Sequence, residues 1–199
     1  GHYAVTLRAT SQPILVEVAD SRYTEEASGI DVALADGQRL TALAWYESGA
    51  ASTTTVTPLT HIATGLAAYK ITQGKPVRDA AAAAQQEVSA AFNFDIVATS
   101  PVLVGEAAGT PGLLTDSASY GFYLAAVSNL TQWISVQNGM QPHQIFNSIG
   151  LSQVWFEDVR ADGKLDGIGW NKDATALMNL AYGTVLLDAS LYRMAIAQH

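Results

Sequence analysis

The chain has 199 residues, with 10 basic and 18 acidic side chains, so its formal net charge at pH 7 is −8. This length suits one domain, or a core domain with a small appendage. The acidic balance, with no basic patch, argues against a nucleic-acid partner. Because there is no cysteine, disulfides, thiolate zinc sites, iron–sulfur clusters and cysteine catalysis are excluded.

No stretch of the sequence approaches the ~18–20 apolar residues that a membrane-spanning helix needs. The longest apolar run, 177–197, is interrupted by Asn179, Asp188 and Arg193. No basic segment followed by an apolar block marks a signal peptide. We expect the chain to be part of a longer protein, because Tyr3 begins a strand-like pattern abruptly after Gly1-His2.

The first 57 residues have the alternation and turn signals of short β-strands. Strands are predicted at 3–7, 14–18, 30–34 and 40–46, and a threonine-rich strand or edge at 52–57. Asp36-Gly37 offers a tight turn, because both residues tolerate positive φ, so 30–34 and 40–46 are predicted to pair. Residues 3–57 are therefore predicted to form a small, sandwich-like antiparallel β-unit.

After Pro58 the apolar residues recur with the 3.6-residue period of helices. Helices are predicted to begin at Pro58, at Pro76 and at Asp116 or Ser117, followed by a short helix at 142–148, a turn around 161–163 and a last helix at 172–197. The third helix is predicted to bury Tyr120, Tyr123, Leu124, Val127, Leu130 and Ile134. The predicted fold class is α+β, with the β-unit leading into a four- to five-helix bundle over residues 58–199.

Several short motifs follow one another in a distinctive order. They are Pro13–Val18, Tyr23-Thr24-Glu25-Glu26-Ala27-Ser28-Gly29, Val56-Thr57-Pro58-Leu59-Thr60 before a helix, 88–96, and Asp162-Gly163-Lys164-Leu165-Asp166-Gly167. As a set they resemble a recurrent module of large secreted or lipid-anchored bacterial proteins, often found beside immunoglobulin-like or carboxypeptidase-regulatory-like domains. The resemblance implies a surface-exposed or periplasmic protein with a structural or adhesive role, and the module has no established catalytic residues to assign to this chain. His61 departs from the pattern, which more often has threonine there.

The densest acidic segment contains Asp158, Asp162 and Asp166. Counted as a calcium loop from Asp158, it has aspartate at positions one, five and nine and glycine at position six. Arg160 and Gly169 stand where an oxygen ligand and a glutamate are needed, so an EF-hand is not expected. Two interpretations stay open: an irregular calcium site that adds Glu157 or backbone carbonyl oxygens to the three aspartates, or a polar turn, which we favour.

Aromatic residues near this segment suggest a surface on which a sugar could stack. The candidate ligand-binding residues are Trp155, Phe156, Trp170, Trp133 and His61. Tryptophan also fills protein cores, which is the interpretation we favour. His61 lies in the first turn of a predicted helix near its apolar face, which favours a packed histidine, and His143, beside Pro142, is expected to be exposed.

The sequence lacks the motifs of common nucleophilic enzymes, such as Gly-x-Ser-x-Gly and Ser-x-x-Lys. A catalytic triad depends on geometry and cannot be identified from composition. The predicted function is therefore a non-catalytic structural or adhesive module of an exported bacterial surface protein, with protein or glycan partners. The alternative is a carbohydrate- or small-ligand-binding module that uses region 155–170, assisted by calcium. A hydrolase of unrecognised type is a third class.

Overall fold

A computed structural model describes residues 4–6, 10–51, 53–103, 115–144 and 147–165. It has strands β1 (Gln12–Val18), β2 (Arg22–Thr24), β3 (Asp31–Ala33) and β4 (Leu40–Tyr46), and helices α1 (Pro58–Thr72), α2 (Val77–Phe92), α3 (Asp116–Gln137) and α4 (Ser148–Asp162). The class is α+β, as predicted. The predicted helix at 172–197 lies outside the described residues. Among the described helices, none combines the length and apolar content needed to cross a bilayer.

The four strands form two separate two-stranded antiparallel sheets. β1 pairs with β4, which places Leu15 opposite Leu43, and β2 pairs with β3, which places Tyr23 opposite Val32. The predicted pairing of 30–34 with 40–46 is therefore wrong. β4 has seven residues and β3 has three, whereas β1 matches all seven residues of β4. The turn at Asp36-Gly37 does form, but it carries the chain from one sheet to the other.

Three further predicted elements differ in the structure. Residues 4–6, the described part of the strand predicted at 3–7, form no strand. Residues 53–57 form no strand, and Thr57 is instead the N-cap of α1. The short helix predicted at 142–148 is also wrong: residues 142–144 form a turn, and α4 starts at Ser148. It ends at Asp162, inside the turn predicted around 161–163, where Gly163 adopts φ +83°. His143 has φ +59°, a left-handed conformation that a helix does not accommodate.

Local capping residues set where the helices begin. The side chains of Thr57 and Thr60 exchange hydrogen bonds with each other's backbone N–H groups, and Pro58 occupies the first helical position. Thr115, rather than the predicted Asp116 or Ser117, caps α3, and Asn147 caps α4. These polar caps satisfy N–H groups that have no partner within the helix.

One apolar core joins the helices. α1 packs against both α2 and α4, and β4 lies against α1. The largest buried apolar side chains include Leu59, Ile62, Leu66, Ile96, Tyr120, Tyr123, Val127 and Trp155. Of the six residues predicted for the buried face of α3, Tyr120, Tyr123, Val127 and Ile134 are buried, and the two leucines are partly buried.

Gly65 allows α1 and α4 to approach each other closely. A Cβ atom at this position would lie 2.7 Å from the Phe156 carbonyl oxygen and 2.9 Å from Val159 Cγ1. We expect Gly65→Ala to lower the free energy of unfolding by about 1–3 kcal/mol, because the backbone of α4 would have to move. Urea denaturation measures this change. Helix propensity alone predicts the opposite sign, a gain of up to about 1 kcal/mol, so a stabilised variant would contradict the close approach.

Candidate functional site

His61 is fully buried and completes the outer edge of β4. Its Nδ1 accepts the backbone N–H of Thr41 at 3.1 Å, and its ring stacks on Phe156 with the ring centroids 4.4 Å apart. Because Nδ1 accepts a hydrogen bond, the proton of the neutral ring sits on Nε2. Burial lowers the pKa of His61 to about 4, so the ring is neutral at pH 7. This arrangement agrees with a packed histidine.

Other side chains of α1 and α2 cover the same edge of β4. The Thr64 hydroxyl accepts the Leu43 N–H at 3.1 Å, and Gln85 Nε2 donates to the Leu43 carbonyl oxygen at 2.7 Å. An open strand edge would otherwise present unpaired backbone groups. The helices therefore satisfy this part of the sheet by side-chain hydrogen bonds.

The predicted aromatic surface is divided between the core and the periphery. Trp155 is 1 % exposed and belongs to the apolar core, whereas Phe156 is partly buried, with the Arg160 guanidinium 5.7 Å from its ring centroid. Trp133 is partly buried on α3. Trp170 lies outside the described residues. Phe156 and His61 are the pair of candidates that ring stacking brings together.

The predicted calcium segment is helical where it is described. Asp158 is fully buried within α4, and Asp162 is the last residue of that helix, where its carboxylate accepts the Lys164 N–H at 2.9 Å. Asp166 lies outside the described residues. In the described ranges, no three histidine or acidic side chains are grouped so that they could hold a metal ion.

A buried polar cluster lies where the β2–β3 loop meets α3 and α4. We call it the Glu25–His143 cluster, and it contains Tyr23, Glu25, Ser28, Thr131, His143 and Ser148. The motif resemblance covers the first three of these residues, but sequence reasoning assigned none of the six a role at a site. Glu25 and Ser148, which are in direct contact, are 123 positions apart, and no local spacing connects the two parts of the cluster.

Glu25 lies at the centre of this cluster and is 1 % exposed. Its Oε1 accepts hydrogen bonds from the Tyr23 hydroxyl and the Ser148 N–H, each at 2.6 Å, and its Oε2 accepts one from the Ser148 hydroxyl. Ser148 is the first residue of α4, so the carboxylate also lies at the positive end of that helix dipole. These donors compensate for the loss of hydration of a buried carboxylate.

The same environment acts on the Tyr23 phenol. Burial, together with the nearby Glu25 carboxylate, raises the pKa of Tyr23 far above its ordinary value. The phenol therefore keeps its proton and remains a donor to Glu25 at all moderate pH values.

His143 is buried, so the prediction that it is exposed is wrong. Its ring is held by residues from two other elements: Ser28 Oγ lies 2.7 Å from Nε2, and Thr131 Oγ1 lies 3.0 Å from Nδ1. Nδ1 is also 3.8 Å from Glu25 Oε1. The turn after Pro142 directs the side chain inward, because His143 adopts φ +59°. These partners are distant in sequence, so the environment of His143 could not be inferred from its neighbours along the chain.

Hydrogen bonds also fix the loop that carries Ser28. The Gly29 N–H donates to the Glu25 carbonyl oxygen at 2.8 Å, and the Glu25 N–H donates to the Ile30 carbonyl oxygen at 2.9 Å. The Ala27 N–H donates to Ser128 Oγ on α3 at 3.0 Å. Ser28 is therefore held in a defined position. Its hydroxyl lies next to the His143 imidazole, whose other side faces the Glu25 carboxylate.

Comparisons with protein-family models, curated proteins and solved structures give no match.

Proposed function

We propose that this chain is a structural or adhesive module of an exported bacterial surface protein, with protein or glycan partners. The single observation that carries the proposal is the buried contact between Glu25 and Ser148, because it links the β-unit to α4 across 123 residues. A module that transmits force or presents a surface must keep its parts in a fixed relation. The order of the motifs from Pro13 to Asp162 supports the same assignment by resemblance.

The arrangement of the helices is also part of what we propose. We propose that 58–199 completes a four- to five-helix bundle behind the β-unit, which would leave the exposed surface, rather than a cleft, to contact partners. The carbohydrate-binding alternative is weakened because Trp155, one of its candidate residues, is in the core.

Immunolabelling of the organism that encodes the protein tests the location. An antibody raised against the purified chain is applied to intact cells, to cells with a permeabilised outer membrane and to a cytosolic fraction. We expect labelling of intact cells, or of cells after outer-membrane permeabilisation. Antigen confined to the cytosolic fraction would refute the proposal.

Adhesion is tested with beads coated with the folded chain, applied to a glycan array and to panels of host and bacterial surface proteins. We expect retention that depends on the folded state, so beads coated with the Glu25→Ala variant should lose it at temperatures where that variant unfolds. Equal retention of folded and unfolded chains would indicate non-specific sticking and contradict an adhesive role.

A further inference from the structure

We propose that Ser28 is a nucleophile for ester-type acyl groups, with His143 as its general base, Thr131 as the residue that positions the ring and Glu25 as the charge that stabilises the ring once it is protonated. This activity goes beyond a structural or adhesive role and does not depend on it. The inference rests on the order Ser28 Oγ, His143 ring and Glu25 carboxylate within the Glu25–His143 cluster. Ser28 Oγ lies 2.7 Å from His143 Nε2, the separation needed for direct proton transfer.

The surrounding hydrogen bonds identify the tautomer of His143. The Thr131 hydroxyl donates to the Ser128 carbonyl oxygen at 2.9 Å, so its oxygen can only accept from His143 Nδ1, at 3.0 Å. Nδ1 therefore carries the proton, and Nε2 has a free lone pair.

The Ser28 hydroxyl is oriented in the same way. Its oxygen accepts the Ile30 N–H at 3.3 Å, which leaves its single proton to donate to Nε2 of His143. Both assignments agree with a base that can remove the proton of Ser28.

The protonation state of His143 also suits a base. Burial lowers the pKa of His143, while the Glu25 carboxylate acts in the opposite direction, so the ring is neutral at pH 7. Of the described groups around the ring, Glu25 is the charged one, Tyr23 keeps its proton, and α3 and α4 present Thr131 and Ser148, which do not titrate. Glu25 Oε1, 3.8 Å from Nδ1, stabilises the positive ring after it accepts a proton.

Ser28 is accessible, whereas its supporting residues are not. Ser28, in the β2–β3 loop, is partly exposed, while the side chains of His143 and Glu25 are 2 % and 1 % exposed. Ile30, two residues further along, is 40 % exposed and offers an apolar contact for an acyl chain. An electrophile can therefore approach the hydroxyl from solvent while the base remains shielded.

The reaction balances without any other reagent than water. Ser28 Oγ attacks the carbonyl carbon, an Oγ–C bond forms, and the hydroxyl proton moves to His143 Nε2. The bond to the leaving alkoxide breaks, and that oxygen takes the proton from Nε2. Water then attacks the acyl carbon and gives a proton to His143 Nε2. The Oγ–C bond breaks, Ser28 Oγ takes that proton, and the acid is released with the serine and the neutral imidazole restored.

Labelling with an alkyl fluorophosphonate tests the proposal, because Ser28 would form a P–O bond as fluoride leaves. We expect one adduct on the Ser28 peptide by mass spectrometry, absent in Ser28→Ala and retained in Ser11→Ala, a control at an exposed serine. His143→Gln should slow labelling by about 100-fold. A wild-type chain that gains no more adduct than Ser28→Ala overturns the proposal, and so does equal labelling of folded His143→Gln.

Thr131 provides a second variant if His143→Gln does not fold. Thr131→Val removes the acceptor for Nδ1 and should slow labelling about tenfold, and Thr131→Ser should restore it. In the wild type, the labelling rate should rise with pH with a midpoint below 6.5, because the neutral ring is the base. A rate that does not change with pH between 4 and 8, or that is unaffected by Thr131→Val, refutes His143 as the base.

Discussion

Replacing Glu25 with alanine is expected to lower the free energy of unfolding by about 3–5 kcal/mol. The substitution removes the acceptor of three buried donors: the Tyr23 hydroxyl, the Ser148 N–H and the Ser148 hydroxyl. Each buried donor left without a partner costs about 1–3 kcal/mol, although water entering the space left by the side chain recovers part of this. The linkage between the β2–β3 loop and α4 is lost at the same time.

Urea denaturation followed by circular dichroism measures the effect. Glu25→Gln is the graded variant: it keeps the size of the side chain and one acceptor oxygen, so we expect a smaller loss than in Glu25→Ala. Glu17→Ala is the matched control, because this glutamate is exposed on β1 and pairs with Arg39 at the surface, and we expect a change within about 0.5 kcal/mol. Equal stability of Glu25→Ala and Glu17→Ala would mean that the buried contacts of Glu25 contribute nothing.

α1, α2 and α3 could be predicted because their signals are local, whereas α4 was not predicted. Pro58 after Thr57 marks the start of α1, and the helix predicted to begin at Pro76 corresponds to α2, which begins one residue later with Pro76 as its N-cap. Capping side chains and helix periodicity involve residues within four positions, so a sequence contains this information directly. The same reasoning failed for 142–148, where the left-handed backbone of His143 depends on its distant partners.

Strand pairing and the Glu25–His143 cluster could not be predicted because they depend on distant residues. The choice between β1 and β3 as partner of β4 depends on strand length and on how the sheet packs against α1. Glu25 meets Ser148, and Ser28 meets His143, only after both parts of the chain have packed. His61 was easier to place, because a polar residue on the apolar face of a helix already favours a buried position.

Acid is expected to destabilise the protein between pH 6.5 and about 4, chiefly through His61. Burial lowers the pKa of His61 to about 4, whereas an unfolded histidine takes up its proton near pH 6.5. In this window the unfolded chain therefore binds more protons than the folded chain, and the free energy of unfolding decreases as the pH falls. The difference between the two pKa values corresponds to about 3 kcal/mol, and His143, whose pKa is also lowered by burial, acts in the same direction.

Urea denaturation of the wild type and of His61→Gln at intervals from pH 7.5 to 4 tests this expectation. Glutamine can accept the Thr41 N–H through its amide oxygen but does not titrate, so the variant should lose most of the pH dependence while remaining folded. His143→Gln is the comparison that isolates the smaller contribution of the second buried histidine. If wild type and His61→Gln lose stability in parallel across this window, then His61 is not the group that takes up the proton. If His61→Gln is less stable than the wild type at every pH but keeps the same pH dependence, then the role of His61 is limited to completing the edge of β4.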